Sequence, residues 1–216
     1  MKIVYSGGEG EIIEKKSRFI ATVRPVSTEE EAVAFIGEMK KKYWDARHNC
    51  SAFVIGERQE ITRCSDDGEP AQTAGRPMLD VLLGEDIHNA AVVVTRYFGG
   101  VLLGTGGLVR AYQRAIQKGL AASILIDRQE GRQLAVETDY NGLGKLQHLI
   151  AQRNLVTIDT IYTDRVQVLL MVPIELCREV EKGIGEVTSG SAKLSWGETF
   201  WYAVVDKKLE IFEKST

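Results

Sequence analysis

The chain has 216 residues, 44% hydrophobic and 26% charged, ordinary proportions for a globular protein with one large core or two modest ones and outside the low-complexity range. Its formal net charge is −3, and dividing it near Glu130 leaves both halves mildly acidic, so attraction to nucleic acid has to come from a local patch. Cys50, Cys64 and Cys177 are too scattered for a disulfide framework and form no CxxC pair, and the longest apolar runs, AAVVV and VLLMV, are strand-sized; the expectation is a cytoplasmic protein with no membrane span.

After a polar, glycine-containing start, residues 19–23 read as a strand. A helix opens at Ser27 or Thr28. Glu30 and Glu31, three positions on, complete alternative capping boxes, and Ala32, Phe35, Ile36, Met39 and Tyr43 recur at helical spacing. Lys40, Lys41 and Lys42 close it, where cations complement the helix dipole, which explains them without a nucleic-acid role. Residues 50–55 and 60–64 read as paired strands around the turn GERQ, followed by the polar loop SDDGEPAQTAGRP, a short helix over 78–83 and a continuous apolar strand over 90–94.

The stretch 95–112, TRYFGGVLLGTGGLVRAY, places Gly99, Gly100, Gly104, Gly106 and Gly107 between that strand and a helix over 108–120. Glycine costs conformational entropy, so the run implies positive φ, or close approach of a second backbone or a ligand. One reading is a tight strand-to-helix crossover. The other is an anion site, because free N–H groups and the positive end of a helix suit phosphate, and Arg96 and Arg110 bracket them. Along the helix, Leu108, Tyr112, Ala115 and Ile116 form the inward stripe, and Arg110, Arg114 and Lys118 a basic outward one.

From Leu134 the texture changes. Residues 134–138 read as a strand; Leu143, Leu146, Leu149 and Ile150 mark a helix ending near Asn154; 155–162 and 166–172 are strands joined by a turn at Thr163 and Asp164. Leu176, Val180, Ile184 and Val187 mark a second helix, weakened by Gly183 and Gly185, and 200–205 is the last strand. This β, α, β, β, α, β order is the split arrangement of a ferredoxin-like sandwich. The boundary is expected in the charged stretch 127–132, giving domains 1–130 and 131–216, with a frayed tail after Asp206.

In loop 64–77, CSDDGEPAQTAGRP, the carboxylates of Asp66, Asp67 and Glu69 lack the spacing of a calcium loop and a plain turn accounts for DDGEP, so neither metal nor cofactor is expected. Thr73 is a candidate cap for the next helix. His48 near Cys50 invites a nucleophile and base reading, but nothing marks the thiol as activated, His88 and His148 are isolated, and no catalytic residue is expected. The glycine loop lacks the lysine and hydroxyl ending of a Walker A motif and does not fit GxGxxG.

An ordered set, Gly75, Met78, Leu79, Leu82, Ile87, Val93, Val94 and RYFGGVLLG from Arg96 to Gly104, resembles the signature of the IMPACT family. The segments CSDDGEPAQTAGRPML from Cys64 and SRFIA from Ser17 extend the resemblance over essentially the whole chain. It implies an α+β protein of two domains. The N-terminal one would have the fold of the second domain of small-subunit ribosomal proteins, shared by domain four of elongation factor G, and the C-terminal one would be a ferredoxin-like βαββαβ sandwich similar to that factor's domain five. Larger eukaryotic members regulate translation under starvation by competing for an activator of a translation-initiation-factor kinase. That activity is associated with an additional N-terminal domain expected to be absent here, so the kinase pathway is not carried over.

The function so implied is that of a non-catalytic, translation-associated module binding RNA or the ribosome through a basic, glycine-rich face. Arg96, Arg110 and Arg114 would contact phosphates with help from the amides of Gly99, Gly100, Gly104, Gly106 and Gly107, and Tyr97 or Phe98 would stack on a base if exposed. Asp66, Asp67, Glu69, Arg76 and Tyr97 are secondary candidates. An enzyme acting on a phosphorylated or otherwise anionic small molecule would instead bring loop 64–77 and the glycine loop into a closed pocket with an acid near Arg96. A protein-binding adaptor would expose an apolar patch.

Overall fold

In the computed structural model, which describes residues 1–206 and 208–212, the chain divides at Asp127/Arg128 into two units. The first contains β1 (Lys2–Ser6), β2 (Glu9–Glu14), β3 (Ser17–Pro25), α1 (Glu29–Lys42), β4 (His48–Ile55), β5 (Ile61–Ser65), α2 (Gly75–Gly84), β6 (Ile87–His88), β7 (Ala90–Tyr97), α3 (Thr105–Ala121) and β8 (Ile124–Asp127). Five of these strands form an antiparallel sheet in the order β2-β3-β7-β4-β5, and β6-β1-β8 form a smaller one.

The run AAVVV is continuous because β7 is covered on both faces. Val92 and Val94 join Phe19, Ala21, Val23, Cys50, Ala52 and Val54 beneath α2 and α3, while Ala91 and Val93 join Phe53 and Ile55 against Phe35 and Met39 of α1. Of the two capping boxes, the structure forms the one based on Thr28: its Oγ1 accepts from the Glu31 N–H at 3.2 Å, and Glu31 Oε2 accepts from the Ser27 N–H at 2.6 Å.

Several boundaries differ from the sequence expectation for identifiable reasons. β7 runs on to Tyr97, so Arg96 and Tyr97 belong to the strand and not to the glycine loop. α2 begins at Gly75, and Asp66 rather than Thr73 holds its start: Asp66 Oδ1 accepts from the Ala74 and Gly75 N–H groups at 3.0 and 2.8 Å, whereas Thr73 donates to Pro70 O. β1 and β2 occupy the polar start because only a few of their residues, Ile3, Val4 and Ile12, are buried, too few to leave an apolar run.

The second unit contains β9 (Gln129–Thr138), α4 (Tyr140–Gln152), β10 (Val156–Tyr162), β11 (Val166–Pro173), a short 3-10 turn, α5 (Cys177–Val187), β12 (Lys193–Val205) and β13 (Lys208–Phe212). Its antiparallel sheet runs β10-β11-β9-β12-β13, and within it β9 to β12 have the βαββαβ order read from the sequence. Leu134, Val136, Val168 and Leu170 of the sheet meet Leu146, Leu149, Val180 and Ile184 of the helices. The expected frayed tail is corrected over 208–212, where β13 pairs with Trp201–Val205 of β12; residues 207 and 213–216 lie outside the described residues. Among the described residues no helix is long and apolar enough to cross a membrane.

Candidate functional site

Alternation along β7 decides the fate of Arg96. It lies two residues beyond Val94 on the side covered by α3, and only 7% of its side chain is exposed. A buried guanidinium needs a partner, and loop 64–77 supplies one: Arg96 Nη1 donates to Glu69 Oε1 at 2.6 Å, and the Tyr112 hydroxyl of α3 donates to the same oxygen at 2.8 Å. The Glu69 side chain is 3% exposed. The Arg96 guanidinium carbon lies 5.4 and 5.6 Å from the ring centroids of Phe19 and Phe98, and its Nε has no hydrogen-bond partner among the described residues.

This pair lines a cleft of about 450 Å³ in which loop 64–77 and the glycine loop meet. Gly68 and Pro70 contribute one side, Phe98, Leu102 and Leu103 an apolar one, and Gly104 and Thr105 the end of α3; Arg47 and His48 complete it. Loop 64–77 and the glycine loop therefore converge with Glu69 as the acid beside Arg96, but in a cleft open to solvent and not in the closed pocket named above.

The glycines do separate jobs. A Cβ on Gly99 would lie 2.0 Å from the Lys16 carbonyl carbon, so the close approach there is to the turn between β2 and β3, and its N–H donates to Ser17 Oγ at 3.2 Å. Gly104, with φ 73°, is the N-cap of α3 and offers no side chain to it. The first helical bond runs from Leu108 N–H to Gly104 O, so the N–H groups of Thr105, Gly106 and Gly107 are left without a helical acceptor, and of these residues Thr105 lines the cleft. Gly100 is exposed on the loop.

The other acids of loop 64–77 are structural. Asp66 organises the start of α2 as described. Asp67 Oδ1 accepts from Lys40 Nζ at 2.6 Å and Oδ2 from the Asn49 N–H at 2.7 Å; burial pushes its carboxyl up, but these two donors outweigh that and hold it below the usual value. Among the described residues no group of three or more His, Cys, Asp or Glu is placed to hold a metal ion. Burial pushes the Cys50 thiol far above its ordinary range, reinforced by Glu69, Asp67 and Asp66 against the opposing pull of the Tyr112 hydroxyl. Its Sγ donates to Asp66 O, and His48 Nδ1 lies 2.9 Å from Asp67 O, so the two form no nucleophile and base pair.

The basic stripe faces solvent as its spacing requires. Arg110, Arg114 and Lys118 are exposed on α3; Arg114 pairs with Glu14 at 2.9 Å, and neither Arg110 nor Lys118 has an ion-pair partner among the described residues. A pocket of about 240 Å³, more enclosed than the Arg96 cleft, lies among Glu14, Lys15, Arg110 and Arg114, and a second, more open one is lined by Ile12, Arg114, Gln117 and Lys118. Tyr97 donates to Asp45 at 2.8 Å and Arg76 pairs with Asp80 along α2, both outside the lining of cleft and pockets. The expected site thus separates into a cleft holding Arg96 and Glu69 and an outer face holding Arg110 and Arg114. Arg47, Thr105 and Leu102, which the sequence reading passed over, line the cleft; Phe98, Val101 and Leu102 are 48%, 41% and 82% exposed on the glycine loop.

Residues 15–120 match the family described as the Impact N-terminal domain, and residues 136–191 one described as a domain of unknown function, DUF1949. The chain is 40% identical over 195 residues to IMPACT family member YvyE of Bacillus subtilis (strain 168), covering 90% of each. It is 34% identical over 182 residues to IMPACT family member YigZ of Escherichia coli (strain K12), covering 83% of this chain and 89% of that one. A solved structure described as the crystal structure of a hypothetical protein is similar with a TM-score of 0.57 and 32% identity, over 89% of this chain and 95% of that one.

Proposed function

The chain belongs to the IMPACT family, and from that footing we propose that it is a translation-associated protein that binds RNA or the ribosome through the solvent side of α3. The observation that carries this is the row Arg110, Arg114, Lys118, exposed at one side chain per helical turn, with Lys15 beside Arg110 and Arg114. At about 1.5 Å of rise per residue the row repeats every ~6 Å, a spacing that lets successive cations track an extended polyanion. The exposure of these three side chains matters here, because a phosphate backbone needs an accessible track. Arg96 is no part of this surface, since its charge is buried against Glu69.

The test is charge reversal at the two positions that have no ion pair to break. Arg110→Glu with Lys118→Glu should weaken RNA binding and ribosome co-sedimentation, and loss of two phosphate contacts on a single strand should flatten the log–log salt slope by about 1.4. An unchanged slope, with unchanged sedimentation at low and moderate salt, would remove the α3 face from consideration.

A further inference from the structure

The β2–β3 turn and the outer side of α3 meet around a concentration of positive charge. The pocket of about 240 Å³ at that junction is lined by Lys15, Arg110 and Arg114 and by a single acid among the described residues, Glu14, whose carboxylate is engaged by Arg114 at 2.9 Å. Lys15 and Arg110 have no ion-pair partner among the described residues, so two positive charges stay unmatched there in a chain of net charge −3. Lys15 also sits where the backbone resists it. Glu14 pairs with Ser17, which leaves Lys15 and Lys16 as a two-residue turn with φ of 44° and 66°, positions that Asn and Gly fill most readily. The glycine loop fixes that turn from outside, through the backbone approach of Gly99 to Lys16 and its N–H donated to Ser17 Oγ, and its Leu103 lines the same pocket. A costly conformation persists where the surroundings over-determine it, and here it sets a lysine beside two arginines.

Shape and charge decide what the pocket takes. Arg114 also lines the more open pocket with Gln117 and Lys118, so the row Lys118, Arg114, Arg110 leads from an accessible surface into an enclosed end. An internal phosphate of a strand must continue on both sides and suits the open part, whereas an enclosed end suits a group that terminates the strand. The volume of this pocket lies below the roughly 300 Å³ at which pockets for whole small-molecule ligands begin, so it takes a phosphate with little beyond it. Charge agrees. A phosphodiester carries one negative charge, whereas a phosphomonoester carries about −1.5 to −2 near pH 7 and offers three acceptor oxygens to Lys15 and the arginines. We propose that this pocket holds the terminal phosphate of a single-stranded RNA whose next phosphates follow Arg114 and Lys118 along α3. The terminal phosphomonoester is the same chemistry at a 5′ or a 3′ end. Such end recognition rests on the α3 reading above and adds to it the part of the strand that is held most tightly.

The experiment is a fluorescence-anisotropy titration of the full chain with one short oligoribonucleotide, labelled at an internal base, in 5′-phosphorylated, 3′-phosphorylated and hydroxyl-ended forms. The quantity read is the ratio of dissociation constants, hydroxyl-ended over phosphorylated. A ratio of about ten or more for either phosphorylated form supports the site and identifies the end it reads. A ratio near one overturns it, and binding of all three forms then leaves the α3 face standing. Lys15→Asn removes the cation and suits the positive φ, so a urea melt should show a fold at least as stable while the ratio falls to about two or less. Exposed Arg110→Ala should lower the ratio in the same direction. Lys118→Glu should weaken all forms alike and leave the ratio unchanged, which separates the two readings. The preference should also shrink as pH falls below about 6, where the phosphomonoester loses its second charge. A ratio that survives Lys15→Asn, or that does not change with pH, would place the preference elsewhere and overturn the assignment. Absence of binding by every form at low salt would remove the α3 reading and this site with it.

Discussion

Replacing Glu69 by alanine leaves the Arg96 guanidinium buried with its best partner gone. Arg96 is 7% exposed, its Nε already lacks a partner, its Nη2 reaches Ser17 Oγ only at 3.4 Å, and Tyr112 loses the acceptor for its hydroxyl. Removing one member of a buried pair costs about 3–5 kcal/mol, and because the cleft lets water reach the vacated position we take the lower end, about 3 kcal/mol. With a urea m-value of about 2 kcal/mol/M the midpoint should fall by about 1.5 M. The readout should be amide hydrogen exchange along β7 across a urea series, since the chain divides into two compact units and a whole-chain transition need not be two-state. Arg96→Met added to Glu69→Ala should recover at least half of the loss, because no charge is then stranded. Exposed Arg114→Ala is the control, expected to cost about 1 kcal/mol or less. If Glu69→Ala behaves like that control, the pair is not the buried lock described above.

Gly99→Ala should lower stability by about 2 kcal/mol, because the new Cβ meets backbone atoms of Lys16 and Ser17 and one strand turn has to move; an unchanged melting temperature would contradict the close approach. Gly37→Ala, inside α1 with nothing within 4 Å of the new methyl, should stabilise by about 1 kcal/mol, measured by the same melt. Asp67 has its carboxyl held below the ordinary value, so its contribution is fully present above about pH 4 and is lost as pH falls through the lower folded-state value. Asp67→Asn should therefore flatten the acid limb of a urea midpoint against pH profile between about pH 5 and 2, and a parallel shift across the whole range would refute the assignment.

Much of the framework was legible because it depends on local periodicity. The helical recurrence of Ala32, Phe35 and Met39, the cap at Thr28 and the β, α, β, β, α, β order all arise from contacts between residues near one another in sequence, and each has its counterpart in the structure. What escaped were short or half-exposed strands such as β1, β6 and β8, whose pairing partners lie far along the chain and whose few buried residues leave no pattern. Thr73 was a reasonable cap by type, yet Asp66, eight residues before Ala74, holds that helix start because the loop folds back on itself.

The candidate site shows the same division. Composition and spacing by themselves determined that α3 carries a basic row on one side and an apolar stripe on the other, since a 3.6-residue period leaves no alternative once Leu108, Tyr112 and Ile116 turn inward. Only the tertiary structure decided that Arg96 points to the core side, apart from the outward row that holds Arg110. That outcome depends on which face of β7 is covered by α3 and on a carboxylate 27 residues earlier and a hydroxyl from α3 arriving at the same place, a three-body contact that no sequence period encodes.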